Sequence, residues 1–164
     1  KLENLKIAYF GDGHNNITHD LIFASSILGL DISVACPTGT EYEPQKLVLE
    51  KAKAFSRSSG SNIEITTNPE KVIQEADIVY TDSWMSYRIP KSDLIKRMNI
   101  FRKYRVDKEL FNKAKDDALF MHCLPANRLH EVSADVIDGK RSIVWDQASN
   151  RLHIQKSIIL WLLR

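Results

Sequence analysis

Three short stretches of the sequence carry polar side chains that suit the binding of a small charged ligand. They are GDGHNN (11–16), DSWMS (82–86) and HCLP (122–125). In the second, Asp82 supplies a negative charge and Ser86 supplies an acceptor four residues later, so the pair suits an ammonium group. An Asx-type turn followed by an exposed serine would have the same spacing, and both interpretations stay open.

The HCLP stretch combines a hydrogen-bond donor with a soft thiol. His122 can donate to a carbonyl oxygen, and Cys123 can contact an amine. Pro125 restricts Leu124 to an extended or turned backbone. The alternative is a small buried cysteine beside a histidine with a purely structural hydrogen bond. A hydrolase pair of Cys123 and His122 is disfavoured, because neighbours in a strand point to opposite faces.

A glycine-rich turn before a helix, as in GDGHNN, is typical of dinucleotide sites. Here the motif is incomplete, since Asn16 stands where a third glycine is needed and the second strand ends in Ala35-Cys36-Pro37 instead of an acid. The structural alternative is that Asn15 or Asn16 caps the helix. The side-chain amide of the other asparagine would then hydrogen-bond a ligand carboxylate, because a helix N-terminus favours a bound anion.

All three stretches follow predicted strands. Apolar runs predict strands at 5–13, 31–37, 62–67, 77–82, 118–125 and 142–148, and helical spacing predicts helices at 15–29, 43–58, from 68 onward, within 91–115 and from Asn150 onward. This alternation predicts one doubly wound α/β domain over residues 1–164, Rossmann-like, with a mostly parallel sheet and helices on both faces. Ligands bind outside the carboxyl ends of such strands, so the three stretches and DQASNR (146–151) are expected at one edge.

The charge balance argues against a nucleic-acid partner. The chain has 23 basic and 21 acidic residues, for a formal net charge of +2. The basic clusters Lys96-Arg97 and Arg102–Arg105 are expected to be solvated helix faces. The longest apolar run, 157–163, is too short to span a bilayer, so no membrane partner is predicted.

The two cysteines, Cys36 and Cys123, form neither a disulfide framework nor a zinc-binding pattern. They predict a reducing, cytoplasmic compartment. The start without Met and the abrupt end at Arg164 indicate a piece of a longer protein.

Taken together and in order, these stretches resemble the ornithine-binding half of the ornithine carbamoyltransferases, members of the aspartate/ornithine carbamoyltransferase family. Residues 122–125 match the His-Cys-Leu-Pro signature, and GDGHNN is similar to the Gly-Asp-x-x-Asn-Asn helix opening. YTDSWMS (80–86) resembles Thr-Asp-x-Trp-x-Ser, and the stretch from 146 resembles the Gln-Ala-x-Asn-Arg-x-His ending. The resemblance covers nearly the whole chain.

The resemblance implies transfer of a carbamoyl group from carbamoyl phosphate to the side-chain amine of L-ornithine, giving citrulline and phosphate without a cofactor or metal. It assigns the ornithine α-carboxylate to Asn16 together with Asn15, and the α-amino group to Asp82 and Ser86. The family usually reads Ser-Met-Gly after this tryptophan, and here Tyr87 takes the place of the Met. Because the Met contributes a backbone amide, Tyr87 is expected to keep that contact.

For the chemistry, the resemblance places Cys123 and Asp82 beside the reacting amine. His122, the Leu124 carbonyl and Arg151 would contact the carbamoyl group and its phosphate side. Asp82, His122, Cys123 and Arg151 are therefore the predicted catalytic residues. Cys123 is expected to contact substrate without becoming a covalent nucleophile, because ornithine supplies the attacking group.

The family's other half carries a Ser-Thr-Arg-Thr phosphate clamp, which this sequence lacks. The resemblance therefore implies the ornithine-binding domain alone, with negligible turnover and with the apolar face of 157–163 packing on the absent half. Family members are usually homotrimers, built largely through that half. Three alternatives stay open: a carbamoyltransferase for putrescine or an acylated ornithine, an NAD-binding module, and a non-catalytic interaction domain.

Overall fold

The predicted parallel sheet is present. The structure, a computed structural model, describes residues 2, 4–86 and 89–164. Those residues form a five-stranded, fully parallel sheet in the order β3-β2-β1-β4-β5. The strands are β1 Lys6–Phe10, β2 Asp31–Ala35, β3 Ile63–Thr66, β4 Ile78–Thr81 and β5 Leu119–His122. The doubly wound α/β fold is thereby confirmed.

Helices connect the strands and cover both faces of the sheet. In the described part of the chain they are α1 Asn16–Leu28, α2 Lys46–Ser59, α3 Pro69–Ile73, α4 Leu94–Phe101, α5 Lys108–Phe111, α6 Ala134–Ile137 and α7 Val144–Leu162. Helices α1 and α2 pack on one face, and α3 to α6 pack on the other. Parallel sheets need this cover because both of their faces are apolar.

The sheet separates two hydrophobic cores, because successive side chains of a strand point to opposite faces. In β1, Ile7 and Tyr9 join the core beneath α1 and α2. Ala8 and Phe10 join the core beneath α3 to α6. The same alternation continues past the end of β5 and separates the side chains of His122 and Cys123.

The predicted sixth strand at 142–148 is wrong. Only Ser142 makes a β-bridge, with Phe120, and α7 begins at Val144, ahead of the predicted start at Asn150. A short apolar run cannot be told from the first turn of a partly buried helix by periodicity alone. The helix-forming residues after position 148 continue the same helix, so most of the 142–148 run is helical.

The strand order changes direction between β1 and β4. The chain leaves β1 toward β2 on one side of the sheet, and leaves β4 toward β5 on the other. A crevice opens at such a point, outside the carboxyl ends of the two strands. Gly13 allows the β1 loop to approach its neighbour closely, since a Cβ there would lie 2.6 Å from the Tyr42 carbonyl oxygen.

Helix α7 leaves the body of the domain after its first turns. All residues from Ser149 to Arg164 are exposed, including Trp161 at 72%. Among the described residues, no helix has both the length and the apolar content required to cross a lipid bilayer.

Candidate functional site

Asn15 joins the start of α1 to the loop that follows β4. Its Oδ1 accepts a hydrogen bond from the Thr18 backbone N–H at 2.8 Å, which makes Asn15 the N-cap of the helix. Its Nδ2 donates to Asp82 Oδ2 at 3.2 Å and to the Tyr9 hydroxyl at 3.1 Å. One amide therefore caps the helix and also orients the carboxylate.

Asn16, the other asparagine, begins α1 and is exposed. It lines a cavity of about 610 Å³ together with Asn15 and Ser86. The helix N-terminus and the serine loop thus face one space. Tyr87, the remaining predicted contact on this side, lies outside the described residues.

Asp82 and Cys123, predicted to act together, are in direct contact. The Cys123 thiol donates to Asp82 Oδ1 at 3.0 Å, and the opposite oxygen of the carboxylate accepts from Asn15. Burial, followed by the hydrogen bond and charge of Asp82, raises the pKa of Cys123 to about 12. The thiol therefore keeps its proton at neutral pH, which disfavours a thiolate nucleophile.

Arg151 faces a second cavity, of about 840 Å³, which Cys123, Leu124 and Gln147 also line. Arg151 is exposed on α7, and its positive charge acts to lower the pKa of the Cys123 thiol, an effect smaller than that of Asp82. The cavity thus has a thiol on one wall and a guanidinium on another. Such a guanidinium can bind a phosphate or a developing oxyanion.

Gln147 anchors α7 one turn before Arg151. Its Oε1 accepts from the His122 backbone N–H at 3.1 Å, and its Nε2 donates to the Tyr80 hydroxyl at 2.8 Å. The side chain therefore ties the helix to the ends of β5 and β4. Sequence reasoning quoted this residue only as part of a motif and assigned it no role.

His122 lies away from both cavities, contrary to the position expected of a direct substrate donor. The residue is fully buried, its Nδ1 accepts from the Leu124 backbone N–H at 2.9 Å, and its Nε2 lies 3.5 Å from Glu131 Oε1. Since Nδ1 is an acceptor, the ring proton is assigned to Nε2, which faces Glu131 but does not hydrogen-bond to it. Its place is beneath the HCLP turn.

The HCLP turn has a defined backbone. Leu124 adopts a left-handed conformation with φ of 57°, and the Leu124–Pro125 peptide bond is cis. The turn is also held from below, because Glu131 Oε1 accepts from the Asn127 backbone N–H at 2.5 Å. Glu131 is 1% exposed, and sequence reasoning did not identify it, since a lone glutamate before a valine resembles any surface acid.

Asp82, His122 and Cys123 also offer three metal-ligand atoms within 4.8 Å of one another. All three groups are already engaged, because His122 Nδ1 accepts from a backbone amide and the Cys123 thiol donates to the Asp82 carboxylate. A metal ion would have to displace both hydrogen bonds and a proton.

The expectation that Lys96-Arg97 is a solvated helix face is wrong for Arg97. Lys96 remains exposed, but Arg97 is 7% exposed and forms an ion pair with Asp12. The charge pattern of α4 gave no sign of this, because Asp12 is 85 residues away in sequence. Arg97 lines the 610 Å³ cavity and is a site residue that the sequence did not reveal.

Comparison with known proteins identifies the family of this chain. Residues 3–162 match the family model described as "Aspartate/ornithine carbamoyltransferase, Asp/Orn binding domain". The chain is 48% identical over 161 residues to the ornithine carbamoyltransferase of Caldicellulosiruptor saccharolyticus, covering 98% of this chain and 51% of that protein. It is 46% identical over 163 residues to that of Picrophilus torridus, covering 99% of this chain and 53% of the relative.

The fold is similar to solved structures as well. The solved structure of ornithine carbamoyltransferase from Pyrococcus furiosus superposes with a TM-score of 0.89 at 43% sequence identity. The match covers 97% of this chain and 50% of that one. The present chain thus spans about half the length of the relatives that it matches.

Proposed function

This chain belongs to the aspartate/ornithine carbamoyltransferase family, and on that premise we propose that it is the ornithine-binding half of an ornithine carbamoyltransferase. The complete enzyme would transfer the carbamoyl group of carbamoyl phosphate to the side-chain amine of L-ornithine, releasing citrulline and phosphate. This chain would hold the amino acid, and the half with the phosphate clamp would hold most of carbamoyl phosphate.

The observation that carries the proposal is the contact of Asn15, Asp82 and Cys123 between the two cavities. Asp82 Oδ1 and Oδ2 each accept one hydrogen bond from these neighbours, so the carboxylate is fixed in orientation. A fixed carboxylate can bind an ammonium group strongly, because little freedom is lost on binding. Ser86 and Asn16 on the adjacent cavity provide partners for the rest of an amino-acid head group.

The proposed mechanism needs the ornithine side-chain amine in its neutral form, pointing at the carbamoyl carbon. Cys123 and Asp82 would orient this amine, which first releases its ammonium proton to solvent. A second proton, lost by the nitrogen as the new C–N bond forms, would pass to the departing phosphate. Cys123 stays a protonated contact, since its thiol pKa is about 12. Attack forms a tetrahedral intermediate, and phosphate then leaves.

Arg151 and the Leu124 carbonyl would contact the carbamoyl phosphate side of the reaction. Arg151 offers several N–H donors to a developing oxyanion or to phosphate. His122 would act indirectly: its buried ring holds the Leu124 amide and so shapes the turn that carries Cys123. In this proposal His122 is a positioning residue.

Ornithine is favoured over the other amines because the 610 Å³ cavity is lined by groups suited to an amino-acid head. Putrescine is ornithine without the α-carboxylate, so Asn16 would have no charged partner in it, whereas Ser86 would still face an ammonium group. An NAD-binding module is disfavoured, because family membership and the asparagine at position 16 both argue against it.

Titration calorimetry of the 164-residue chain with L-ornithine, L-norvaline, putrescine and NAD tests the proposal. We expect L-ornithine and L-norvaline to bind with Kd on the order of 1 mM, equivalent to about −4 kcal/mol. Asp82→Asn should abolish this heat. Asp77→Asn is the matched control, since Asp77 directly precedes β4 while Asp82 directly follows it.

Binding of NAD alone, or of putrescine in preference to both amino acids, would contradict the assignment of ornithine. So would a folded chain that binds neither amino acid. A colorimetric citrulline assay is the companion measurement, and we expect negligible turnover because the phosphate clamp is absent. Measurable citrulline formation by the pure chain would refute that division of roles.

We further propose that the complete enzyme is a homotrimer built mainly through its other half, and that it works in the cytoplasm. A reducing compartment suits Cys36 and Cys123, which are both free thiols. Sedimentation of the complete enzyme at several concentrations measures the first point.

A further inference from the structure

One buried arginine contacts the loops on both sides of the crevice. Arg97, on α4, forms an ion pair with Asp12 in the loop after β1. Its Nε also donates to the Trp84 carbonyl oxygen at 2.6 Å, in the loop after β4. The side chains of Arg97 and Asp12 are 9% and 8% exposed, so solvent screens this bridge very little.

Aromatic rings hold the guanidinium in place between these loops. Its central carbon lies 4.7 Å from the centroid of the Phe101 ring and 5.8 Å from that of Tyr42. Tyr42 belongs to the loop after β2, so Arg97 contacts a third segment of the same edge. A planar guanidinium can stack and donate in several directions at once, which a lysine ammonium cannot do.

On the β1 side, the bridge ends in the turn that carries the two asparagines. Asp12 Oδ1 accepts from the His14 backbone N–H at 2.9 Å, and the Asp12 carbonyl accepts from the Thr18 hydroxyl at 2.7 Å. Asp12 is thus fixed to the first turn of α1, beside Asn16. A displacement of Asp12 would move the helix N-terminus that faces the 610 Å³ cavity.

On the β4 side, the bridge ends midway between the two groups proposed to hold the amino group. Trp84 lies two residues after Asp82 and two residues before Ser86. The hydrogen bond from Arg97 to the Trp84 carbonyl therefore limits how far Asp82 and Ser86 can move relative to α1.

We propose that Arg97 is a positioning residue that sets the separation between the carboxylate-binding and amino-binding loops of the amino-acid site. This rests on the proposed function. Arg97 acts on the head group shared by L-ornithine and L-norvaline, and not on the reacting side-chain amine. Its loss should therefore weaken both ligands by the same factor.

The test is Arg97→Lys, which keeps the charge beside Asp12 but cannot reach Asp12 and the Trp84 carbonyl together. In NMR titrations of the 164-residue chain, we expect Kd for L-ornithine and L-norvaline to rise equally, by about tenfold. Lys115→Met is the control. It removes a 2.7 Å ion pair with Asp77 at the opposite edge of the sheet and should lower stability without changing either Kd.

A second measurement needs no ligand. Asp12→Asn should shift the backbone amide resonances of Ser83 and Met85, although these residues lie on the other loop. Unmoved resonances would refute the bridge whether or not the chain binds ornithine. Unchanged Kd values in a folded Arg97→Lys variant, or a loss confined to L-ornithine, would overturn the positioning role. Absence of binding to the wild-type chain would refute the proposed function, and with it this role in ornithine binding.

Discussion

The thiol of Cys123 donates a hydrogen bond to Asp82 Oδ1 over 3.0 Å, and this contact joins the carboxyl ends of β5 and β4. The two residues are 41 positions apart in sequence. Adjacent parallel strands bring them together because Thr81 is paired with His122 in the sheet, so the next residue of each strand is also a neighbour. The site therefore depends on strand register.

The first prediction concerns the reactivity of Cys123. Asp82→Asn removes a negative charge that helps to raise the thiol pKa, so the pKa should fall below its present value of about 12. The thiolate fraction at pH 8 should rise, and alkylation by iodoacetamide should accelerate. Cys36 is the internal control, because burial and then Glu43 and Asp12 raise its pKa, also to about 12. Equal alkylation rates of Cys123 before and after the substitution would contradict the assignment.

The second prediction separates the two roles of Asn15. Asn15→Ser keeps an acceptor for the Thr18 amide but removes the Nδ2 donor to Asp82, whereas Asn15→Ala removes both. Asn15→Ala should cost about 1 kcal/mol of unfolding free energy, and Asn15→Ser only a few tenths. Both should weaken L-ornithine binding. Urea unfolding measures the first quantity and calorimetry the second; a serine variant that binds as tightly as wild type would refute the role of the amide.

The third prediction concerns the support beneath the HCLP turn. Glu131→Leu leaves the Asn127 backbone N–H without its carboxylate acceptor and removes the carboxylate that lies 3.5 Å from His122 Nε2, which should cost about 1–3 kcal/mol of unfolding free energy. Glu131→Gln keeps one acceptor oxygen and should cost less than Glu131→Leu. Denaturant unfolding of both variants gives the comparison.

The exposed Glu50→Leu is the reference for that experiment, because Glu50 makes only a solvent-exposed ion pair with Lys46. Its unfolding free energy should stay within about 0.5 kcal/mol of wild type. A loss as large as that of Glu131→Leu would show that the effect is not specific to the turn.

The fourth prediction concerns the apolar end of α7. Ile158, Trp161 and Leu162 are 51%, 72% and 68% exposed, and an apolar surface of this kind favours association. The chain by itself should therefore self-associate in sedimentation experiments, and Ile158→Glu with Leu162→Glu should shift it toward monomer. The matched control is Ile95→Glu, at an apolar residue of α4 that is 74% exposed and lies outside α7. A wild-type chain that stays monomeric at high concentration would contradict this prediction.

The sequence by itself determined the fold class and the edge of the sheet at which the candidate site residues lie. The alternation of apolar runs with helical patterns predicted a parallel sheet. The polar stretches follow the predicted strands in sequence, which placed them at the carboxyl ends of the strands. The adjacency of His122 and Cys123 also implied that their side chains point to opposite faces, and they do. The one wrongly predicted strand, at 142–148, is a short apolar run, and the periodicity of so short a run does not distinguish a strand from a helix.

Only the tertiary structure decided which of these polar groups meet. From the residue pattern alone, either Asn15 or Asn16 could cap the helix. In the structure Asn15 is the cap, and it also donates a hydrogen bond to Asp82. It treated Arg97 as a surface charge, although packing buries this residue against Asp12. Local patterns report the preferences of neighbours along the chain, whereas burial and pairing across many residues arise from contacts that exist only once the strands are in register.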